Sequence, residues 1–192
     1  MEGRPAILAL LFVNLVAFLA QSVWGDALLT FALWPWGPDF HIWQIVTYAF
    51  LHGNFMHIAF NMLGLVIFGS ELERIWGSGA FLRYYFVSVI SAALTQLVFS
   101  VFTNSDVPTI GASGGVFGLL LAFAVIFPNR YIFLLFPPIP LRARTFAIVY
   151  AAIELLLGVT QTMEGVAHFA HLGGMLGGYL YLRSMQRRDW RA

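Results

Sequence analysis

The chain has 192 residues, 60% of them hydrophobic and only 10% charged, and its mean hydropathy is +0.81. A soluble domain is about half apolar and about a quarter charged, so the composition excludes an ordinary soluble globule and points to a membrane protein whose length suits one compact bundle. The net charge of +1 selects no partner by itself, and no nucleic-acid partner is expected; the absence of cysteine excludes disulfides, thiol nucleophiles and cysteine-based zinc or iron–sulfur sites.

A spanning helix needs about 20 mainly apolar residues. Six stretches read as spans: Ala6–Val23, Phe55–Gly69, Phe81–Phe102, Ser113–Phe127, Thr145–Val159 and Ala167–Leu182. Several are short, which is tolerated where a helix end is buried in protein rather than lipid. The first resembles a signal peptide, with one arginine before an apolar run. No small-x-small cleavage site follows, because Phe18 stands two residues before Ala20, so a retained helix is expected. The link that follows, about Trp24 to Asn54, holds Trp34, Trp36, Trp43 and Tyr48, residues that favour the membrane interface.

All ten basic residues are arginines. Arg4 precedes the first span, and Arg74 and Arg83 flank the link between the second and third. Arg130, Arg142 and Arg144 lie between the fourth and fifth, and Arg183, Arg187, Arg188 and Arg191 follow the sixth. The other links carry Asp26, Asp39, Asp106 and Glu164 but no arginine. The excess of positive charge on cytoplasmic links places both termini in the cytoplasm and runs the even-numbered helices inward. The expected fold is all-α: a six-transmembrane-helix bundle forming one domain over residues 1–192, integral to the cytoplasmic (inner) membrane of a bacterium, with the lipid bilayer as its solvent. No internal repeat is visible.

Four polar residues interrupt the inward-running spans: His57 and Asn61 on the second, Ser113 at the start of the fourth and His171 near the start of the sixth. Ser113 lies 17 residues before Arg130, as His57 lies 17 before Arg74, or roughly 25 Å at about 1.5 Å per residue. Asn61 and His171, counted from Arg74 and from Arg183 or Arg187, fall in a similar band below the outer surface and above the midplane. Each alone has a structural explanation: a membrane serine commonly bonds its own backbone or glues helices together, and His57 with Asn61 could be an interhelical pair. Their shared depth on helices of one direction points instead to a site. A serine between glycines has an exposed oxygen, close backbone amides and little steric cover, so serine hydrolase chemistry inside a bilayer is the reading the residues suggest.

The sequence is similar to the rhomboid intramembrane serine proteases over nearly its whole length. The resemblance rests on His57-Ile58-Ala59-Phe60-Asn61, on Gly111-Ala112-Ser113-Gly114 with Phe117 and Gly118, and on Ala170-His171-Leu172-Gly173-Gly174 with Gly178. Glu71-Leu72-Glu73-Arg74 and Gly77-Ser78-Gly79 match the connection between the second and third helices. The resemblance implies a six-helix bundle with a serine–histidine dyad and no acid, Ser113 as nucleophile and His171 as general base. It implies an oxyanion hole of His57, Asn61 and the Ser113 amide, and a loop-ordering role for His52. It implies no cofactor and no metal, substrates that are transmembrane proteins, and cleavage of their transmembrane segments near the outer side of the bilayer. Gln44 departs from the family, where Trp-Arg is common, and this puts the loop's arginine-based contacts in question.

Helix four begins at Ser113, so its free N–H groups and positive dipole end face developing negative charge. Gly174 and Gly178 form a small-residue face below His171, which lets the sixth helix approach the fourth; Gly111 supports the serine turn. The same glycine spacing favours His171 over His168 as the base. A zinc site built from His52, His57, His168 and His171 is a weaker reading because no carboxylate is clearly placed among them and Gly-Ala-Ser-Gly is left unexplained. Glu154 lies within the fifth span with no evident partner. Two other functions compete: a non-catalytic rhomboid-like binder of membrane clients, which should lack a dyad residue, and a small transporter, which should show a polar path across the whole membrane.

Overall fold

Pro5 opens the first helix, α1 (Pro5–Trp24), at a position where its missing N–H is no loss. The computed structural model describes residues 4–103, 105–133, 139–160 and 167–189, with side chains described to residue 185. Glu164 and Arg191 therefore lie outside the described residues, as do the side chains of Arg187 and Arg188. The α1 amides of Ala6 and Ile7 donate to the Glu73 carboxylate at 2.9 and 3.1 Å, and the Ser78 hydroxyl donates to it at 2.6 Å. A carboxylate at a helix N-terminus satisfies free donors and meets the positive dipole end, so Glu73 docks α1 to the third helix.

The long first link is folded. A 3₁₀ helix over Gly25–Phe31 leads to Leu33, whose backbone exchanges two 2.9 Å hydrogen bonds with Thr109. Then come α2 (Gln44–Thr47) and a 3₁₀ turn over Tyr48–Phe50. Gln44 is fully buried. Its Oε1 accepts from the Trp34 amide at 3.2 Å, and its Nε2 donates to the carbonyls of Thr30 and Asp39 at 3.1 and 2.9 Å. The neutral Gln44 amide thus ties Thr30, Trp34 and Asp39 of this link together.

The expected second and third spans form one element, α3 (Phe55–Thr103), bent at Gly77. Gly77 has φ 73 and ψ 159, a backbone state open to glycine and costly for other residues. A single residue reverses the chain, so residues 70–80 are helical on both sides of Gly77. Asn54 Oδ1 accepts from the His57 amide at 2.9 Å and caps the α3 N-terminus. Next come α4 (Ser113–Ile126), the strands β1 (Tyr131–Phe133) and β2 (Pro140–Arg142), then α5 (Ala143–Thr160) and α6 (His168–Asp189). The two antiparallel strands pair Tyr131 with Arg142 and Phe133 with Pro140, a short ladder added to the all-α bundle expected from the sequence. The ladder gives this link's backbone groups partners that a free loop would lack.

The chain is mostly helical. Among the described residues, three helical stretches are long and apolar enough to cross a membrane by length and composition: Pro5–Phe31, Phe55–Thr103 and Ala143–Thr160. Leu8, Phe12 and Leu19 on α1, and Ile148, Leu155 and Leu156 on α5, are exposed, a pattern suited to lipid. Phe81, Tyr84, Tyr85 and Leu119 fill the core between α3 and α4.

Glycines set the spacing of α6. A Cβ on Gly174 would run into the Gly114 carbonyl oxygen, and a Cβ on Gly118 would lie 3.1 Å from the Gly174 oxygen. Gly178 does not share this face: its added Cβ would meet the Tyr84 hydroxyl and lie 2.9 Å from Ser88 Oγ, both on α3. Gly173 and Gly177 likewise face Thr95 and Ser91 of α3. The α6 glycines thus serve two neighbours, because α6 lies in the groove between α3 and α4.

Gly174→Ala is expected to destabilise the protein by about 1–3 kcal/mol, the usual cost of overpacking, read as a lower melting temperature of the purified protein. Gly79→Ala, whose added methyl would meet only the Arg83 guanidinium at 3.6 Å, should not lower it. Equal melting temperatures for wild type and Gly174→Ala would show that α4 and α6 separate freely.

Candidate active site

The loop before α4 is anchored before it delivers its serine. The Gly111 amide donates to the Tyr48 carbonyl at 2.9 Å, and the Tyr48 hydroxyl donates to the Val89 carbonyl of α3 at 2.9 Å. Burial pushes the Tyr48 hydroxyl well above its usual pKa, so it remains a donor. Gly111 has φ 124, which a side chain rarely adopts. A Cβ there would lie 2.7 Å from His57 Nε2 and 3.7 Å from Ser113 Oγ. Gly111 therefore keeps the edge shared by His57 and Ser113 clear.

Ser113 is the first residue of α4, with Ala112 at the N-cap. Its Oγ lies 2.8 Å from His171 Nε2. The His171 ring stacks on Phe117, one turn below Ser113, with centroids 4.3 Å apart and planes 4° from parallel. Ser113 is half-buried and His171 buried. A base within about 3 Å of the hydroxyl proton, at a helix end bearing free amides, is an arrangement that can activate an oxygen nucleophile.

His57 and Asn61 lie one turn apart on α3. The Gly53 amide donates to His57 Nδ1 at 3.3 Å, which assigns the ring proton of neutral His57 to Nε2, on the side of Gly111. Asn61 Nδ2 donates to the His57 carbonyl at 2.9 Å, and its second amide hydrogen is left for another acceptor. His52 is buried against the His57 edge, with centroids 5.1 Å apart. Its backbone exchanges hydrogen bonds with the Gln21 side chain of α1 at 2.9 and 3.2 Å. Burial, and secondarily the neighbouring His57, pushes His52 down to about 4, so it is neutral near pH 7. Ser113, His171, His57, His52 and Gly111 thus gather at one end of the bundle; Gly174 stands behind the Ser113–His171 pair, and Gly178 is a turn farther along α6.

Glu154, for which the sequence suggested no partner, has two. Its Oε2 lies 2.8 Å from His171 Nδ1 and 2.7 Å from His168 Nδ1. The available signal was an acid inside an apolar span, which demands a partner, followed on the next helix by two histidines three residues apart. Glu154, His168 and His171 also offer ligand atoms within 4.8 Å of one another, a spacing compatible with a metal ion. That group contains neither His52 nor His57, so it is not the four-histidine set considered from the sequence.

A family model described as the Rhomboid domain matches residues 39–188. The chain is 34% identical over 139 residues to Rhomboid protease GluP of Bacillus subtilis, covering 71% of this chain and 25% of that protein. It is 33% identical over 140 residues to Rhomboid protein 1, mitochondrial, of Saccharomyces cerevisiae, covering 72% and 40%. With Rhomboid protease GlpG of Enterobacter sp. it shares 28% identity over 181 residues, covering 92% and 62%. The chain therefore spans from a quarter to about three-fifths of the length of these curated relatives. With a family match over most of its length and long apolar helices throughout, this chain is an integral membrane protein and belongs to the rhomboid family.

Proposed function

We propose that the chain forms a single intramembrane serine endopeptidase domain that cleaves transmembrane segments of membrane proteins. The observation that carries this reading is the 2.8 Å approach of His171 Nε2 to Ser113 Oγ at the N-terminus of α4. Relatives named rhomboid protease, GluP and GlpG, support it. In this reading Ser113 Oγ attacks the scissile carbonyl while His171 Nε2 takes its proton. The carbonyl oxygen becomes an oxyanion, held by the Ser113 amide, His57 Nε2–H and the Asn61 amide. The intermediate collapses, the C–N bond breaks, and His171 returns the proton to the leaving amine. Water then attacks the acyl-enzyme by the same route in reverse. Gly111 leaves room for the oxyanion, His52 packs the His57 edge, and Gly174 permits the close approach of α6.

The proposed topology has six spans: α1, the two arms of α3, α4, α5 and α6. Both termini face the cytoplasm of a bacterium whose inner membrane holds the protein. Arginine placement supports this orientation, and it sets the site toward the outer side. A substrate helix shields its peptide bonds with its own hydrogen bonds, so cleavage requires local unwinding.

Ser113→Ala and His171→Ala should each abolish cleavage of a model transmembrane substrate in folded protein, and the double variant should be no worse than either, because the two act as one unit. Activity retained in His171→Ala but lost in His168→Ala would assign the base to His168. His57→Ala and Asn61→Ala should lower kcat by up to about 10²–10³-fold, the scale of one lost oxyanion donor; an effect confined to KM removes them from the hole. Mass spectrometry should place the cut near the outer end of the substrate helix. Glycine near that bond should speed cleavage and helix-stabilising leucine should slow it. A cut at the cytoplasmic end contradicts the proposed orientation.

A further inference from the structure

The proposed chemistry leaves the buried acid of α5 unused. Glu154 is 6% exposed, and it is the only long side chain among the buried residues of α5, the others being Ala143, Ala147 and Gly158. Gly158, one turn along, brings α5 close to α6: an added Cβ would lie 3.2 Å from His168 Cβ and from the Phe169 ring. This approach lets the carboxylate reach the imidazole that contacts Ser113. His171 is then held on three sides, by Ser113 at Nε2, by Glu154 at Nδ1 and by Phe117 on its face.

We propose that Glu154 is a positioning residue that fixes the tautomer and orientation of His171, so that this chain works with a Ser113–His171–Glu154 triad rather than an unassisted dyad. The inference rests on the serine-protease reading above. An ionised carboxylate only accepts hydrogen bonds. Bonded to Nδ1, it keeps the proton there and leaves the Nε2 lone pair facing the Ser113 hydroxyl. The opposite tautomer would present Nε2–H to Ser113 and could take no proton. When the Ser113 proton moves to Nε2, the imidazolium that forms lies beside a negative charge in a water-poor site, where the attraction is strongest. The Nδ1 proton stays on His171 throughout, and the Ser113 proton continues to the leaving amine.

His168 holds the carboxylate in place. Its Nδ1 donates to the same oxygen, and its buried Nε2 has no hydrogen-bond partner among the described residues, as suits a neutral ring with its proton on Nδ1. A metal ion at these three atoms would need bare Nδ1 lone pairs on both histidines. It would therefore force the Nε2–H tautomer on His171, and the two readings are exclusive.

The test uses the purified full chain reconstituted in liposomes with a model transmembrane substrate. It combines steady-state cleavage, the rate constant for labelling of Ser113 by a fluorophosphonate, and ¹⁵N NMR of histidine-labelled protein, with His171 and His168 assigned by substitution. Glu154→Gln should lower kcat and the labelling rate constant by about 10- to 1,000-fold, below the roughly 10⁴-fold cost of the equivalent change in a soluble serine-protease triad. KM should change little, and Glu154→Asp should recover part of the loss. The labelling rate constant does not depend on the fraction folded, so a wild-type rate in Glu154→Gln, even with a lower melting temperature, overturns the proposal. If Glu154→Gln yields no folded protein, wild-type NMR decides: Nδ1–H on His171 supports the proposal and Nε2–H overturns it. Loss of wild-type activity in a chelator also overturns it, in favour of a metal. A wild-type chain that neither labels nor cleaves refutes the serine-protease reading itself, a result distinct from an active wild type matched by Glu154→Gln.

Discussion

Two helix backbones meet without side chains between them, and the site depends on that contact. Gly174 of α6 lies so close to the Gly114 carbonyl that no methyl group fits. Ser113 precedes Gly114 by one residue, and His171 precedes Gly174 by one helical turn. The backbone contact therefore brings their side chains to 2.8 Å. A larger residue at Gly174 would move the helices apart by more than a hydrogen bond tolerates. The other α6 glycines extend this close packing to α3, so the helix carrying His171 is fixed against two neighbours at once.

Buried polar groups supply the remaining order, and several of them join separate parts of the chain. In an apolar surrounding an unsatisfied polar group is costly, so its partner is effectively specified. Glu73 ties the end of one α3 arm to the first turn of α1. Tyr48 ties the loop to the other arm through Val89. Gln21 of α1 holds the backbone of His52, and Gln44 holds Thr30, Trp34 and Asp39 of the long link. These ties hold the loop before α3 and the loop before α4 against the same framework, which sets His57 and Ser113 on either side of Gly111.

Helix α5 has a different character. Its outer face is a row of exposed aliphatic side chains; inward it sets Phe146 against Phe68 and Tyr150 against Phe117, and it buries Glu154. One carboxylate oxygen shared by two imidazoles joins it to α6. That link makes the environment of His171 depend on where α5 sits, whereas the Ser113–His171 distance is governed by α4 and α6.

Local chemistry made much of this legible in one dimension. Apolar runs bounded by proline, glycine and arginine located α1, α4 and α5 to within two residues at each end, and the polar residues that interrupt the apolar runs marked His57, Ser113 and His171. Gly-Ala-Ser-Gly marked the serine turn, because a close backbone turn needs small residues in immediate succession. The tertiary structure decided what depends on rotation and approach. Gly77 closes the α3 reversal in one residue, where composition alone suggested a longer link. Two strands form in a link with no strong pattern, because they have each other's backbone as partner. Gly178 faces α3 although Gly174, four residues earlier, faces α4, since α6 lies between both. Glu154 stood isolated in sequence, 14 and 17 residues before its two histidine partners. Only the angular setting of α5 against α6 brings them together, and that setting is a property of helix packing in three dimensions rather than of residue order.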